Sequence, residues 1–195
     1  MIDRKPRTVS YRRKREQKTD YHKRLKLLVS KELRLVVRLT NQKIIGQLVR
    51  FLPAGDEVVL GTDSFALRAL GWTYSCKNFP AAYLTGLLLG KRALEKGEKK
   101  AILDTGFRQT FPKGRVYAFL KGVIDAGLEV PYGEEEKIFP TMERISGKHV
   151  EEYAQKLKGE NEKEYKEHFS QYLKSNAPEK IAAVFEQVKS KILKK

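Results

Sequence analysis

Three aspartates, Asp63, Asp104 and Asp125, are the side chains best suited by type to catalysis. Two of them sit near the ends of β-rich runs, where converging carboxylates can hold two metal ions for phosphodiester hydrolysis. Such a centre needs three or four acids together, and no neighbouring His or Glu completes the set. Each aspartate also has a simpler role. Asp63 or Ser64 caps a short helix, Asp104 orders the turn before Gly106, and Asp125 lies on a solvated helix face. Gly86-x-x-x-Gly90-Lys91-Arg92 approaches a phosphate loop, but that motif needs four residues between the glycines and a Ser or Thr after the lysine. These glycines also fall within a helical pattern, so they read as structural.

The other reactive side chains are few. His22 lies in a basic segment, and His149 and His168 fall on amphipathic stretches. None has a second ligand at metal spacing, which argues against a zinc site. Cys76, the one cysteine, excludes an internal disulfide, fits a reducing compartment and reads as a small apolar side chain. Ser75 lacks the partners of a nucleophile. No cofactor is expected.

What remains is chemistry directed at a polyanion. The 195 residues carry 40 Lys and Arg against 24 Asp and Glu, a net charge of +16. A balance of that size implies nucleic acid or an anionic membrane surface. The longest uncharged run, Asn78 to Gly90, has 13 residues, short of the ~20 a spanning helix needs. No apolar leader precedes the first charges, so a cytoplasmic location is expected and no membrane partner.

The charge is uneven. Residues 1–26 hold 11 basic and 3 acidic residues, and residues 27–133 hold 16 and 9; residues 134–195 are nearly balanced at 13 and 12. The first stretch is a basic arm containing Arg4, Lys5, Arg7, Arg12, Arg13, Lys14, Arg15, Lys18 and Arg24. Tyr11 and Tyr21 are spaced within it for stacking or anchoring rather than for a core. So charged a segment is expected to stay disordered until it meets RNA.

The elements that would position these groups are α/β in class (α+β-like). Leu33, Leu35, Val37 and Leu39 alternate with Arg34, Val36, Arg38 and Thr40, the period-two signature of a half-buried strand. Two further β-rich runs, 44–51 and 57–62, flank a turn at Pro53-Ala54-Gly55-Asp56 and suggest a three-strand antiparallel meander. A short helix ending at Gly71 should follow, then a helix over 80–96, a strand over 101–103 and a helix over 116–126 stopped by Gly127. Ala82, Gly86 and Gly90 on one face of the longer helix would let a neighbour approach closely. Residues 134–195 read as a helical C-terminal extension. In it Tyr165, His168, Phe169 and Tyr172 share a face, and Asn176 caps a last helix burying Ile181, Val184, Phe185, Val188 and Ile192. The expected divisions are thus 1–26, 27–133 and 134–195, built on a mixed sheet.

On that frame Arg34 and Arg38 should point outward, beside Thr40, Asn41 and Lys43 at the strand end. Guanidinium groups match phosphate geometry, and an Asn amide can read a base edge or a ribose hydroxyl. Lys113 and Arg115, between a strand and a helix, form a second small basic group.

Several ordered motifs extend this reading. Arg12-Arg13-Lys14-Arg15-Glu16-x-Lys18-Thr19-Asp20-Tyr21, Arg34-Leu35-Val36-Val37-Arg38-x-Thr40-Asn41, Pro80 to Gly86, Asp104-Thr105-Gly106 and Gly122 to Pro131 occur in sequence. Together they resemble the 5S-rRNA-binding protein family of the large ribosomal subunit, archaeal and eukaryotic branch. The likeness runs from about Pro6 to Tyr153, and the length resembles the archaeal form. It implies a non-enzymatic protein that holds 5S rRNA in the central protuberance, touches the 23S-type rRNA and neighbours other large-subunit proteins. By resemblance, Arg12 to Lys18, Tyr21, Arg34, Arg38, Thr40 and Asn41 carry RNA contact. The competing expectation is an RNA-processing enzyme on an RNase-H-like sheet.

Overall fold

The alternation in residues 33–39 builds a strand, β1 (Leu33–Leu39), at the centre of a four-stranded sheet. The computed structural model describes residues 8–194, so Arg4, Lys5 and Arg7 of the arm lie outside the described residues. β2 (Ile44–Leu52) and β3 (Gly55–Asp63) complete the antiparallel meander, and β4 (Ala101–Asp104) pairs parallel with β1. The order is β3-β2-β1-β4. A parallel neighbour requires a crossover, and α3 (Phe79–Glu95) supplies it. The Asn78 side chain caps α3 by accepting from the Ala81 amide at 2.9 Å. A 3-10 helix, Ser64–Leu70, precedes it, capped by Asp63 and ended by Gly71 in the left-handed region.

One face of the sheet carries Leu33, Leu35 and Val37 with Ile44 and Leu48, all buried. Over it lie α3 and α4 (Arg115–Asp125), which cross in backbone contact. A Cβ on Gly86 would sit 2.1 Å from the Phe119 carbonyl oxygen, and one on Gly122 would sit 2.1 Å from that of Tyr83. The Phe119 ring itself fills the space above Gly46 in β2. The small-residue face therefore has the close-approach role its spacing suggested.

The arm is not featureless. Residues 12–15 form a short helix, α1 (Arg12–Arg15), and α2 (Tyr21–Val29) follows, capped by Asp20 accepting from the Lys23 amide. Helix α2 runs across position 26, so the charge boundary does not coincide with a structural one. Expected disorder here meets a folded segment, because Lys23 and Arg24 find partners on the sheet that the arm alone does not contain.

The C-terminal extension consists of α5 (Glu135–Ile138), α6 (Met142–Ser146), α7 (Lys148–Glu160), α8 (Glu162–His168), α9 (Ser170–Leu173), a 3-10 turn Pro178–Lys180 and α10 (Ile181–Lys194). Ile181, Phe185, Val188 and Ile192 join the main core, with the Phe185 and Tyr83 rings 5.6 Å apart. Val184 is only partly buried. Ala154, Leu157, Tyr165 and Phe169 form a smaller satellite core, while His168 stays exposed. Asn176 does not cap the last helix; its amide donates to Thr73 Oγ1 at 2.9 Å, and the backbone enters the 3-10 turn at Ala177 instead. Because the tail completes the core, Phe185→Ala should cost about 3–5 kcal/mol in a denaturant titration. A loss under about 1 kcal/mol would show that α10 is not part of the same core.

Candidate nucleic-acid interface

The sheet face opposite α3 and α4 carries Arg34, Val36 and Arg38 of β1. Here the outward reading of Arg34 is corrected. The residue is 3% exposed, because α2 folds back over this face. Arg34 Nη1 donates to Asp104 Oδ2 at 3.0 Å, and Nη2 makes a 2.7 Å ionic contact with Asp56 that lacks hydrogen-bond alignment. Among the described residues Arg34 Nε has no hydrogen-bond partner. A buried guanidinium needs such compensation, since desolvating a lone charge costs several kcal/mol.

Asp56 is shared. Arg24 of α2 grips it with two hydrogen bonds, 2.9 and 2.8 Å, in the bidentate geometry that suits guanidinium and carboxylate. Lys23 adds bonds to Thr105 Oγ1 at 2.7 Å and to the Gly106 carbonyl. Asp104 Oδ1 accepts from the Gly106 amide at 2.8 Å, the turn role expected of it. The chain Arg24–Asp56–Arg34–Asp104 thus clamps the arm helix onto the sheet.

Burial by itself would raise the Asp56 carboxyl, but Arg24 and Arg34 outweigh it and hold the group below its ordinary value of 3.8. A carboxyl lowered on folding stabilises above its unfolded value, and that contribution is lost as pH falls through the lower, folded value. The clamp should therefore stay intact at neutral and mildly acidic pH and open only below about 3.8. Amide exchange of α2 reports it: Asp56→Asn near neutral pH should speed exchange across 21–29 as strong acid does in the parent. Unchanged protection in Asp56→Asn would contradict the clamp.

The other sequence-selected residues divide into three groups. Arg12 and Lys18 are exposed and pair with Glu16, Arg13 donates to Thr19 Oγ1 at 2.9 Å, and Lys14 and Arg15 are exposed. Tyr21 packs against Tyr11 with ring centroids 5.3 Å apart, an anchor inside the arm. Arg13 and Lys18 meet Arg34 and Arg38 around a cavity of about 240 Å³ between arm and sheet. Arg38 is exposed, and among the described residues its guanidinium makes a single hydrogen bond, a long one of 3.4 Å to the Val37 carbonyl.

At the end of β1, Thr40 closes the β1–β2 turn: its hydroxyl donates to the Lys43 carbonyl at 2.8 Å and accepts from the Lys43 amide at 2.9 Å. Asn41 is exposed at the turn tip. Lys43 pairs with Asp63 at 2.6 Å and lies over the Phe65 ring. Lys113 sits in the left-handed region, and Arg115 at the start of α4 donates to the Lys77 carbonyl at 2.8 Å. The loop 105–114 between β4 and α4 carries exposed Phe107 and Phe111, aromatic surface that charge alone does not reveal.

The three aspartates do not converge. Asp63 binds Lys43, Asp104 binds Arg34, and Asp125 accepts from the Tyr83 hydroxyl at 2.8 Å. Burial and then Asp125 push the Tyr83 hydroxyl well above its ordinary value, so it stays a donor. Among the described residues, no group of three or more His, Cys, Asp or Glu side chains is placed to hold a metal ion. No helix among them is long and apolar enough to cross a membrane.

Comparison with known proteins gives this surface its context. The family described as "Ribosomal large subunit proteins 60S L5, and 50S L18" matches residues 6–101. The large ribosomal subunit protein uL18 of the archaeon Caldivirga maquilingensis is 46% identical over 189 residues, covering 96% of this chain and 90% of the relative. The class is therefore a structural protein of the large ribosomal subunit, not an enzyme, and the RNA-processing alternative falls. The chain belongs to the uL18 family, in an archaeal-like form. Ribosomal RNA and neighbouring ribosomal proteins are the partners that membership implies.

Proposed function

We propose that this chain binds 5S rRNA and helps fasten it to the large-subunit 23S-type rRNA in the central protuberance. The observation that carries the reading is the cationic seam where the arm, through Arg13 and Lys18, meets Arg38 on the open sheet face. An RNA backbone lying along that seam would be gripped by two independently built elements. Arg12, Arg13, Lys14, Arg15 and Lys18 supply phosphate contacts that carry no sequence information. Arg38 and Asn41, with Lys43, Lys113 and Arg115 near the same end of the sheet, supply contacts whose relative positions are fixed by the fold.

Arg34 has a different part in this reading: held between Asp104 and Asp56, it positions the arm and does not reach the RNA in the clamped form. Tyr21 and Arg24 likewise hold α2, and Thr40 holds the turn that presents Asn41.

A competition experiment tests the division. Deleting residues 1–26 should weaken binding to 5S rRNA and to an unrelated folded RNA alike, while Arg38→Ala and Asn41→Ala should mainly reduce the preference for 5S rRNA. If deletion of the arm abolished the preference and the two substitutions left it intact, the proposed division would be wrong.

A further inference from the structure

A second cavity, of about 560 Å³, opens between the β1–β2 turn, the 3-10 helix 64–70 and the C-terminal extension. Its size falls within the roughly 300–1,000 Å³ of small-ligand clefts. Asn41 and Gln42 line it together with Phe65, Arg68, Lys77, Tyr172 and the 73–76 segment, with no carboxylate among the lining residues. The Arg68 guanidinium carbon lies 4.4 Å from the Phe65 ring centroid, a stacking distance. That contact orders an otherwise mobile side chain and leaves its charge unneutralised: among the described residues neither Arg68 nor Lys77 has an ion-pair partner. The side-chain amides of Asn41 and Gln42 also have no hydrogen-bond partner there.

These groups have one chemistry in common. A planar cation on an aromatic ring offers a face to a flat base, and Arg planes and aromatic rings are the surfaces on which unstacked bases settle. A primary amide offers one donor and one acceptor side by side, which matches a base edge. An unpaired lysine at the rim suits the attached phosphate. We propose that this cavity takes a single unstacked nucleotide of an RNA, its base against Arg68 and its edge read by Asn41 or Gln42. A polypeptide would meet the same amides, but it would not use two uncompensated cations unless it were acidic.

The proposal rests on the chain acting as an RNA binder, and its test separates the two claims. The isotopically labelled full chain is titrated with each common nucleoside 5′-monophosphate, with ribose 5-phosphate and inorganic phosphate as controls. At least one nucleotide should saturably shift the backbone amide resonances of Asn41, Gln42 and Arg68, and neither control should. Arg68→Ala, at an exposed position, should weaken that nucleotide about tenfold, the scale of one lost stacking contact. Unchanged resonances elsewhere verify that the variant is folded. Equal shifts from phosphate, shifts confined to the arm, or unaltered affinity in Arg68→Ala would each overturn the proposal. So would an acidic peptide that displaced the nucleotide at lower concentration. Preference for 5S rRNA is measured alongside. That preference without nucleotide shifts at the cavity defeats the cavity alone, whereas cavity shifts without it defeat only the 5S reading.

Discussion

RNA affinity is expected to fall on the order of 10³–10⁵-fold as salt rises from roughly 50 to 200 mM, if about 6–10 phosphates are neutralised. The structure sharpens which cations supply the effect. Arg24 and Arg34 are tied to Asp56 and Asp104, so they release few counterions when RNA arrives. Arg12 and Lys18 pair with Glu16 at the surface, but exposed pairs are worth only about 0–1 kcal/mol and yield readily to phosphate. Lys14, Arg15, Arg38 and Lys113 are exposed and among the described residues have no carboxylate partner. Replacing Arg12, Arg13, Lys14 and Arg15 together by alanine should therefore lower the log–log slope by about 3–4, at roughly 0.7–0.9 per contact. Asp56→Asn should raise the slope by up to about 1, because it frees Arg24 for phosphate while Arg34 stays paired with Asp104. A nearly flat slope in the parent, or one untouched by the fourfold variant, would contradict the assignment of the arm to phosphate contact.

The largest effect on stability is expected at Gly86. A Cβ there would lie 2.1 Å from the Phe119 carbonyl oxygen and 3.2 Å from the Val123 nitrogen, both backbone atoms that cannot rotate away. The helices must separate, which opens the interface between α3 and α4 and lifts Phe119 from its place over Gly46. Overpacking of a core costs about 1–3 kcal/mol and sometimes more, against a total stability of about 5–15 kcal/mol. Gly86→Val should exceed that range and leave little folded protein, while Gly86→Ala should shift the denaturant midpoint by a measurable fraction. Gly159, inside α7 with open space around it, is the control: alanine there should be neutral or stabilising by up to about 1 kcal/mol. Equal midpoints for Gly86→Ala and Gly159→Ala would refute the close-packed crossing.

Local pattern explains why these glycines could be read from the sequence while Arg34 could not. Small residues four apart on a helix leave a periodic trace, as do alternating apolar residues on β1, so the meander and both covering helices were legible. The alternation also placed Arg34 and Arg38 on the correct face. It could not show that α2 returns over half of that face, because the partners that hold it, Asp56 and Asp104, are distant in sequence. The sequence offers Asp104 as a metal-ligand candidate or a turn residue and gives no sign of a pair with Arg34, although one carboxylate has two oxygens and serves both Gly106 and Arg34. Asn176 followed by Pro178 has the look of a helix start, and Thr73 outcompetes the local backbone for its amide. The cavity around Phe65 and Arg68 was invisible for the same reason: its walls come from the turn at 41–42, the 3-10 helix and the tail.

The most direct measurement is to purify the chain from cells of its source with its RNA attached and sequence what comes with it. The account predicts one small RNA, 5S rRNA, in near-equal molar amount, retained at low salt and lost on deletion of residues 1–26. A heterogeneous set of RNA fragments with no enrichment of 5S rRNA, or a chain that carries no RNA at low salt, would contradict it.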